Sequence, residues 1–319
     1  MAKDALELQG TGGGADQAFR WGVRAAAAMV LVVLAMVALS MTSRSGDVLG
    51  VMGLDFFGSR RWSEADELYG ALPFLWGTLY TAVIAIVLAV PVSLGVALFV
   101  TQVAPPWLKK PMIYVLDLLA VVPSVVFGLW GVMVLSGELR EVYLVMHRAV
   151  DWIPVLGDIL GPSPQGRSFM TAGVILAIMI TPIITSLSRE VIETTPPGDK
   201  EAALALGATR WEMIRASVLP HSKGGLVAAV MLGLGRAMGE TIAAALVIGS
   251  ALGQTGINAF AAGNSMPAVI ANEWGEANDL HKSALVALAM TLFLLTIVIN
   301  LSASAIVRRS MVRGRGAST

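Results

Sequence analysis

The sequence predicts an all-α membrane protein with six transmembrane helices, and three observations carry that prediction. Of 319 residues, 56% are apolar and only 14% are charged, and the mean hydropathy is +0.74, which together exclude an ordinary soluble domain. The apolar residues gather into six stretches, about 25–41, 74–103, 112–136, 168–192, 224–252 and 283–307. Each suits a hydrocarbon core that about 20 helical residues cross. With the N-terminus inside, about 14 lysines and arginines fall on the inner side and about 7 on the outer side. That bias puts both termini in the cytoplasm.

Composition also excludes function classes. The formal net charge is zero, so nucleic-acid binding has no support from an overall basic excess. Without cysteine there is no thiol catalysis and no thiolate metal site, and His147, His221 and His281 lie on separate segments. Neither a cofactor nor a metal is expected.

Taken in order, residues 1–18 carry a run of three glycines and mixed charge without periodicity, and read as a mobile cytoplasmic tail. The transmembrane domain covers 19–310, and 311–319 form a basic tail. Arg20 and Arg24 precede the first apolar run. A cleaved signal peptide is the competing reading, but its polar lead would be long and no clear cleavage site follows, which favours an uncleaved span. Loops at 42–73, 104–111, 137–167, 193–223 and 253–282 are too polar or too broken by proline and glycine to cross. Within the third of these, Leu139, Val142, Tyr143, Met146 and Val150 share one helical face. That piece lies against the bundle or the membrane surface, or else offers a docking surface to an outside partner; Pro154–Arg167 beyond it is a loop.

The third and fourth spans each place a proline beside a hydroxyl, at Pro123-Ser124 and Thr181-Pro182. Either these are ordinary kinks, or the hydroxyl compensates the carbonyl that the missing amide frees. Asp117, early in the third span, snorkels to the interface or faces the bundle.

In the fifth span, Leu232-Gly233-Leu234-Gly235-Arg236-Ala237-Met238-Gly239-Glu240-Thr241 puts a cation and an anion at membrane depth. An arginine at a helix centre costs about 2.5–3.5 kcal/mol on insertion scales. Arg236 lies roughly 20 Å along a helix from Lys223, near mid-bilayer. Residues four apart share a helix face, so Arg236 and Glu240 can pair across one turn. A guanidinium fork matches the oxygens of an anion, and Glu240 can hold it between substrates. The glycines at 233, 235 and 239 allow close approach of neighbouring backbones. A purely structural ion pair is the competing reading.

In the long inner loop, Thr194-Thr195-Pro196-Pro197-Gly198 stops one helix, and Asp199 is a candidate N-cap for another over Lys200–Leu206 that Gly207 ends. A second short helix over Thr209–Val218 is expected to break at Leu219-Pro220. The pattern Glu201-Ala202-Ala203-x3-Gly207-x11-Leu219-Pro220 resembles the EAA loop of ABC importer permeases, with Ser217 in place of the usual isoleucine. A surface amphipathic turn is the alternative. Gly77-Thr78, Pro123-Ser124-Val125-Val126-Phe127-Gly128 and the 233–241 run extend the likeness, over roughly 74–307, to the phosphate-specific transport permeases of PstC type.

That resemblance implies a type I ABC importer permease fold in a bacterial inner membrane. It further implies a coupling helix, with Glu201, Ala202, Ala203 and Gly207, seated in one of two ATPase subunits. A second, PstA-type permease completes the pathway, an extracytoplasmic binding protein delivers phosphate, and substrate-path roles fall on Arg236 and Glu240. Ser124 and Thr181, at the two interruptions, join them as candidate path residues. No lysine follows a glycine as a P-loop requires, so ATP hydrolysis is expected on partners and the chain itself is not an enzyme. A permease for sulfate or molybdate, a stand-alone secondary transporter, and a scaffold or phosphate sensor are the alternatives.

Overall fold

A computed structural model describes residues 14–162 and 165–315. The expected N-terminal tail lies outside the described residues over 1–13, and 14–18 are already helical. Residues 316–319 of the expected basic tail are likewise outside, whereas its beginning belongs to the last helix.

The first helix, α1 (Gly14–Arg44), is continuous over 31 residues. Its apolar side chains are exposed almost throughout, as suits a helix in lipid. The expected loop 42–73 is structured. It forms α2 (Gly46–Met52), the single turn α3 (Asp55–Gly58) and a hairpin of β1 (Trp62–Ser63) and β2 (Leu68–Tyr69), with Trp62 opposite Tyr69. Then come α4 (Leu72–Leu98), ending in a π turn over Phe99–Val103, and α5 (Pro106–Val121). They are followed by α6 (Ser124–Trp130), a π turn over Gly131–Leu135, α7 (Ser136–Val150) and the one-turn α8 (Leu156–Ile159) inside the stretch expected to be loop. The fourth span is α9 (Phe169–Glu193), and the inner loop holds α10 (Pro197–Ala205) and α11 (Arg210–Met213). A π turn over Ile214–Val218 leads into α12 (Leu219–Gly239), then α13 (Ile242–Val247), α14 (Met266–Glu273) and α15 (Asp279–Arg315).

Among the described residues, five helices are long and apolar enough to cross a membrane, or six if the third span is counted with its bend. That bend is the first departure from expectation. Between α5 and the α6–α7 segment the chain turns by 88°, far beyond a kink. Pro123 drives Val122 out of the helical region, to φ −58° and ψ 126°, and α5 stops there.

The second departure concerns the fifth span, which is not one helix over 224–252. α12 ends at Gly239, and Glu240 is extended at φ −70° and ψ 121°. Gly233, Gly235 and Gly239 weaken the helix by roughly 0.5–1 kcal/mol each relative to alanine, so its end falls at the third of them.

The centre of the bundle is α4 against α9. Ala85 and Ala89 present small side chains to Leu176, Ala177, Ile180 and Ile184, and Ala229 and Ala237 of α12 close the cluster. Ser93 Oγ donates to the Thr181 carbonyl at 3.2 Å across that contact. A second core, at the end of the bundle that carries the hairpin, joins Phe56, Trp62, Tyr69 and Phe74 to Met266, Val269, Leu285 and Leu288. The loop after α13 folds back into this end. A Cβ on Gly77 would lie 1.9 Å from the Asn264 carbonyl oxygen, and Thr78 Oγ1 accepts from the Met266 amide at 2.9 Å, capping α14. Gly77 and Thr78 thus fasten the returning loop. The expected amphipathic face of α7 turns inward only in part: Tyr143 is buried, its ring stacked on Phe260 at 4.1 Å and its hydroxyl 3.0 Å from that of Thr171, whereas Val142 and Met146 are exposed.

Candidate functional site

At the end opposite the hairpin, the inner loop forms a helical elbow. α10 begins at Pro197, three residues earlier than expected, because proline suits the first helical position. Asp199 therefore sits in the first turn, where its charge favours the helix dipole, and is not the N-cap. Gly207 takes φ +83° with open space where a Cβ would be, so the backbone conformation, not crowding, calls for glycine there.

Thr209 then opens α11 with a capping box: its Oγ1 accepts from the Glu212 amide at 3.3 Å, and Glu212 accepts from the Thr209 amide at 2.8 Å. The break expected at Leu219-Pro220 does not occur. Pro220 has no amide to donate to the preceding turn, the chain widens into a π turn over Ile214–Val218 just before it, and the helical path continues from Arg210 to Gly239.

The elbow is anchored from beneath. Met213, Ile214 and Val218 are buried against Ala97 of α4 and Ile192 of α9, and Ala203 packs on the same cluster. Ser217, in the slot where the resemblance has isoleucine, donates from Oγ to the Asp199 carbonyl at 3.2 Å, replacing an apolar seat with a polar tie between α10 and the π turn that precedes α12. Lys109 and Glu193 pair at 2.9 Å beside it. Glu201 and Ala202 are exposed, and Leu206 and Trp211 are 90% and 61% exposed. Large apolar side chains projecting from an elbow that is packed onto α4 and α9 make a surface ready for a partner.

The second candidate region is a cavity of about 850 Å³ along α12. Gly224, Val227, Ala228, Met231, Leu232, Gly235 and Arg236 line it, recurring at helical spacing on one face, so the floor extends roughly 18 Å along the axis. Ile183 of α9 and Asn300 and Ala303 of α15 supply the walls. Arg236 sits in the last turn of α12, where the carbonyl ends favour a cation. It is exposed and forms no hydrogen bond or ion pair among the described residues.

The expected pairing across a helical turn is therefore absent: the helix stops before Glu240, which is half-buried in the break and without a polar partner among the described residues. Of the three glycines, only Gly233 meets a neighbour, Ile184 at 2.6 Å from a Cβ; Gly235 and Gly239 face open space, so close packing accounts for the first alone.

The remaining sequence candidates fall elsewhere. Ser124 begins α6, half-buried, with no hydrogen-bond partner for its hydroxyl among the described residues. Thr181 turns its hydroxyl into its own helix, donating to the Ala177 carbonyl at 2.7 Å, and α9 continues through Pro182. Neither lines the α12 cavity. Asp117 is exposed on α5. Asn300 was missed, although a lone amide in an apolar span was there to be read.

The comparisons with known proteins agree with this architecture. Residues 89–312 match the family model described as binding-protein-dependent transport system inner membrane component. The chain is 39% identical over 287 residues to a protein of Xylella fastidiosa (strain Temecula1) named phosphate transport system permease protein PstC, covering 89% of this chain and 88% of that one. A protein of the same name from Mesorhizobium japonicum is 40% identical over 286 residues, covering 89% and 87%. The Mycobacterium tuberculosis protein named PstC 2 is 37% identical over 295 residues, covering 91% of each.

Among solved structures, the bacterial alginate ABC transporter in complex with an alginate-pentasaccharide-bound periplasmic protein aligns with a TM-score of 0.58 at 17% identity, over 93% of this chain and 98% of that one. An inward-facing MetNI methionine ABC transporter aligns at 0.56 and 17%, over 78% and 99%. At that identity the likeness shows the fold, which is that of type I ABC importer permeases. A multi-pass bundle with a projecting elbow, matched over most of its length by such a family, is a permease subunit and not an enzyme. The chain belongs to the binding-protein-dependent transport system inner membrane components.

Proposed function

We propose that this chain is the membrane-spanning permease subunit of an ATP-driven importer of inorganic phosphate, supplying half of the translocation pathway. The observation that carries the reading is Arg236: a permanent cation, unpaired and exposed in a cavity along α12 whose walls are otherwise almost wholly apolar. A guanidinium at membrane depth that serves only structure needs a partner, and this one has none among the described residues. An oxyanion supplies it, held by two parallel charge-assisted hydrogen bonds. Phosphate is favoured among oxyanions by the names of the relatives, each spanning nearly the whole chain.

Glu240, in the break beyond α12, competes for the guanidinium after release once the two segments realign, so the anion is not trapped. ATPase subunits grip Glu201, Ala202, Ala203 and Gly207 on the elbow. Its seating against α4 and α9 transmits their closure to the bundle, and a second permease of PstA type covers the open side of the cavity. An extracytoplasmic binding protein loads the opposite end.

The test is phosphate uptake by the assembled complex in proteoliposomes. Uptake should require ATP, persist in excess sulfate and molybdate, and fall at least about 100-fold in Arg236→Ala, in line with removal of a charged donor from a preorganised site. Uptake without ATP would point to a secondary transporter, competition by sulfate to another oxyanion, and unchanged uptake in Arg236→Ala would overturn the path assignment.

A further inference from the structure

We infer that Asn300 is a second anion contact in the same path, a neutral station that receives the substrate released by Arg236. The inference rests on the reading of Arg236 given above.

Among the residues that line the α12 cavity, Arg236 and Asn300 are the two with polar side chains. They come from different helices, and the wall between them is apolar, with Val227, Met231 and Leu232 on α12 and Ile183 on α9. Among the described lining residues, no other side chain offers an anion a polar contact.

Three hydroxyl residues of α15, one of them two positions from Asn300, behave differently from it. Thr291 donates to the Ala287 carbonyl at 2.7 Å, Thr296 to the Leu292 carbonyl at 2.8 Å and Ser302 to the Val298 carbonyl at 2.7 Å. Each hydroxyl is satisfied one turn back in its own helix, which is how an apolar helix carries hydroxyls cheaply. The Asn300 carboxamide has no such outlet; it is exposed to the cavity and has no hydrogen-bond partner among the described residues. An amide left without a partner at membrane depth costs about 1–3 kcal/mol on protein scales, so an unsatisfied one that faces a cavity is placed for a ligand.

Its chemistry fits a release station. The amide nitrogen presents two donors and no charge, so it holds an anion more weakly than a guanidinium does. Asn300 lies eight residues before Arg308, roughly 12 Å along the helix from the first arginine of the basic C-terminal stretch. An anion handed from Arg236 to Asn300 moves from a strong site to a weak one, and a permease needs that descent to let go of its cargo.

The experiment uses the assembled complex in proteoliposomes with inorganic phosphate as the probe, comparing Asn300→Leu, Asn300→Gln and Asn300→Asp with Arg236→Ala in parallel. Asn300→Leu should lower the maximal uptake rate about tenfold, the value of one lost hydrogen bond to a charged group, with normal assembly and ATPase stimulation. Asn300→Gln should restore most of it. Asn300→Asp should lose uptake progressively as the pH rises through the second ionisation of phosphate, because a fixed anion repels the dianion more than the monoanion; a purely packing role predicts no such profile. Wild-type uptake in Asn300→Leu, or an unchanged pH profile in Asn300→Asp, while Arg236→Ala is inactive, would overturn the inference and leave the path reading intact. Uptake retained in Arg236→Ala would sink both.

Discussion

The charges at the hairpin end and those along α12 are handled in opposite ways. At the hairpin end, the Glu273 carboxylate accepts from the Trp62 indole at 2.8 Å and lies 2.9 Å from His281 Nε2. The His281 side chain is only 6% exposed, Tyr69 stacks on its ring at 5.2 Å, and Asn278 donates to Glu64 at 3.1 Å. These residues tie the hairpin to α14 and α15 through mutual partners, although the Tyr69 hydroxyl and His281 Nδ1 lie buried without a hydrogen bond. Facing the cavity along α12, Arg236 and Asn300 have no hydrogen-bond partner among the described residues. Where polar groups are bonded to one another they hold the fold; where they are left facing a cavity they wait for something the chain does not supply.

The difference can be broken most sharply by deleting a charge on each side. Arg236→Ala carries the largest expected effect, at least about 100-fold in uptake, with thermal stability of the purified protein unchanged or raised, since an uncompensated charge is removed. Glu273→Ala should do the reverse. It removes the acceptor of the Trp62 indole and the partner of His281, and about 1.5–3 kcal/mol of stability should be lost, as expected for hydrogen bonds to a charged group. Thermal unfolding in detergent checks the second, with Arg236→Ala in the same buffer as the control. Equal destabilisation by both would erase the contrast.

A second pair of substitutions sharpens it through glycine. A Cβ on Gly77 would collide with the Asn264 backbone at 1.9 Å, so Gly77→Ala must displace the returning loop and should cost about 1–3 kcal/mol. Gly239 has open space around it, and Gly239→Ala should leave stability unchanged or raise it by about 0.5–1 kcal/mol through helix propensity. If Gly239→Ala nonetheless reduces uptake, the end of α12 must move during transport, an outcome that uptake and unfolding measured on one preparation would separate.

How much of this was legible beforehand follows from what each feature depends on. The spans were readable because an apolar run of 20 residues has few other fates, and the elbow because proline, an acidic first turn and Gly207 are local signals. The right-angle turn at Pro123 was not. A proline marks a place where a helix can stop, and whether it bends slightly or stops outright depends on what receives the next segment, here α13, whose Ala243 lies 2.9 Å from where a Cβ on Gly128 would be. The Arg236–Glu240 pairing failed for a related reason. Helical spacing guarantees proximity only while the helix lasts, and the glycines that drew attention to the motif also end it. Gly77 and Thr78 carried a family signal, but their task, fastening a loop almost 190 residues away, lies in the tertiary structure. Arg236 and Glu240 were found by their charge and Ser124 and Thr181 by the prolines beside them; Asn300, a lone amide with neither mark, drew notice when the cavity brought it into one lining with Arg236.

The smallest expected effect lies in the hairpin turn itself. Asp66 accepts from the Ser63 hydroxyl at 2.8 Å and pairs with Arg61 at 2.8 Å, and these hold its carboxyl below the usual carboxylate range, the serine bond first and the arginine charge second. Because the folded pKa is depressed, the contribution of Asp66 is present at any pH above its unfolded value and is lost as the pH falls through the folded one. The hairpin should therefore open more readily in acid, and Asp66→Asn should flatten that dependence while leaving behaviour at neutral pH only slightly weaker, as befits an exposed pair. The Gly70 amide, which donates to the Arg61 carbonyl at 2.8 Å, reports the opening directly by hydrogen exchange. Its protection should decline toward low pH in the parent and change less in Asp66→Asn. Since Glu273 and His281 clamp the same hairpin from below, the decline should be steeper in a Glu273→Ala background, where the turn must hold without them; identical slopes in the two backgrounds would mean that turn and clamp act independently.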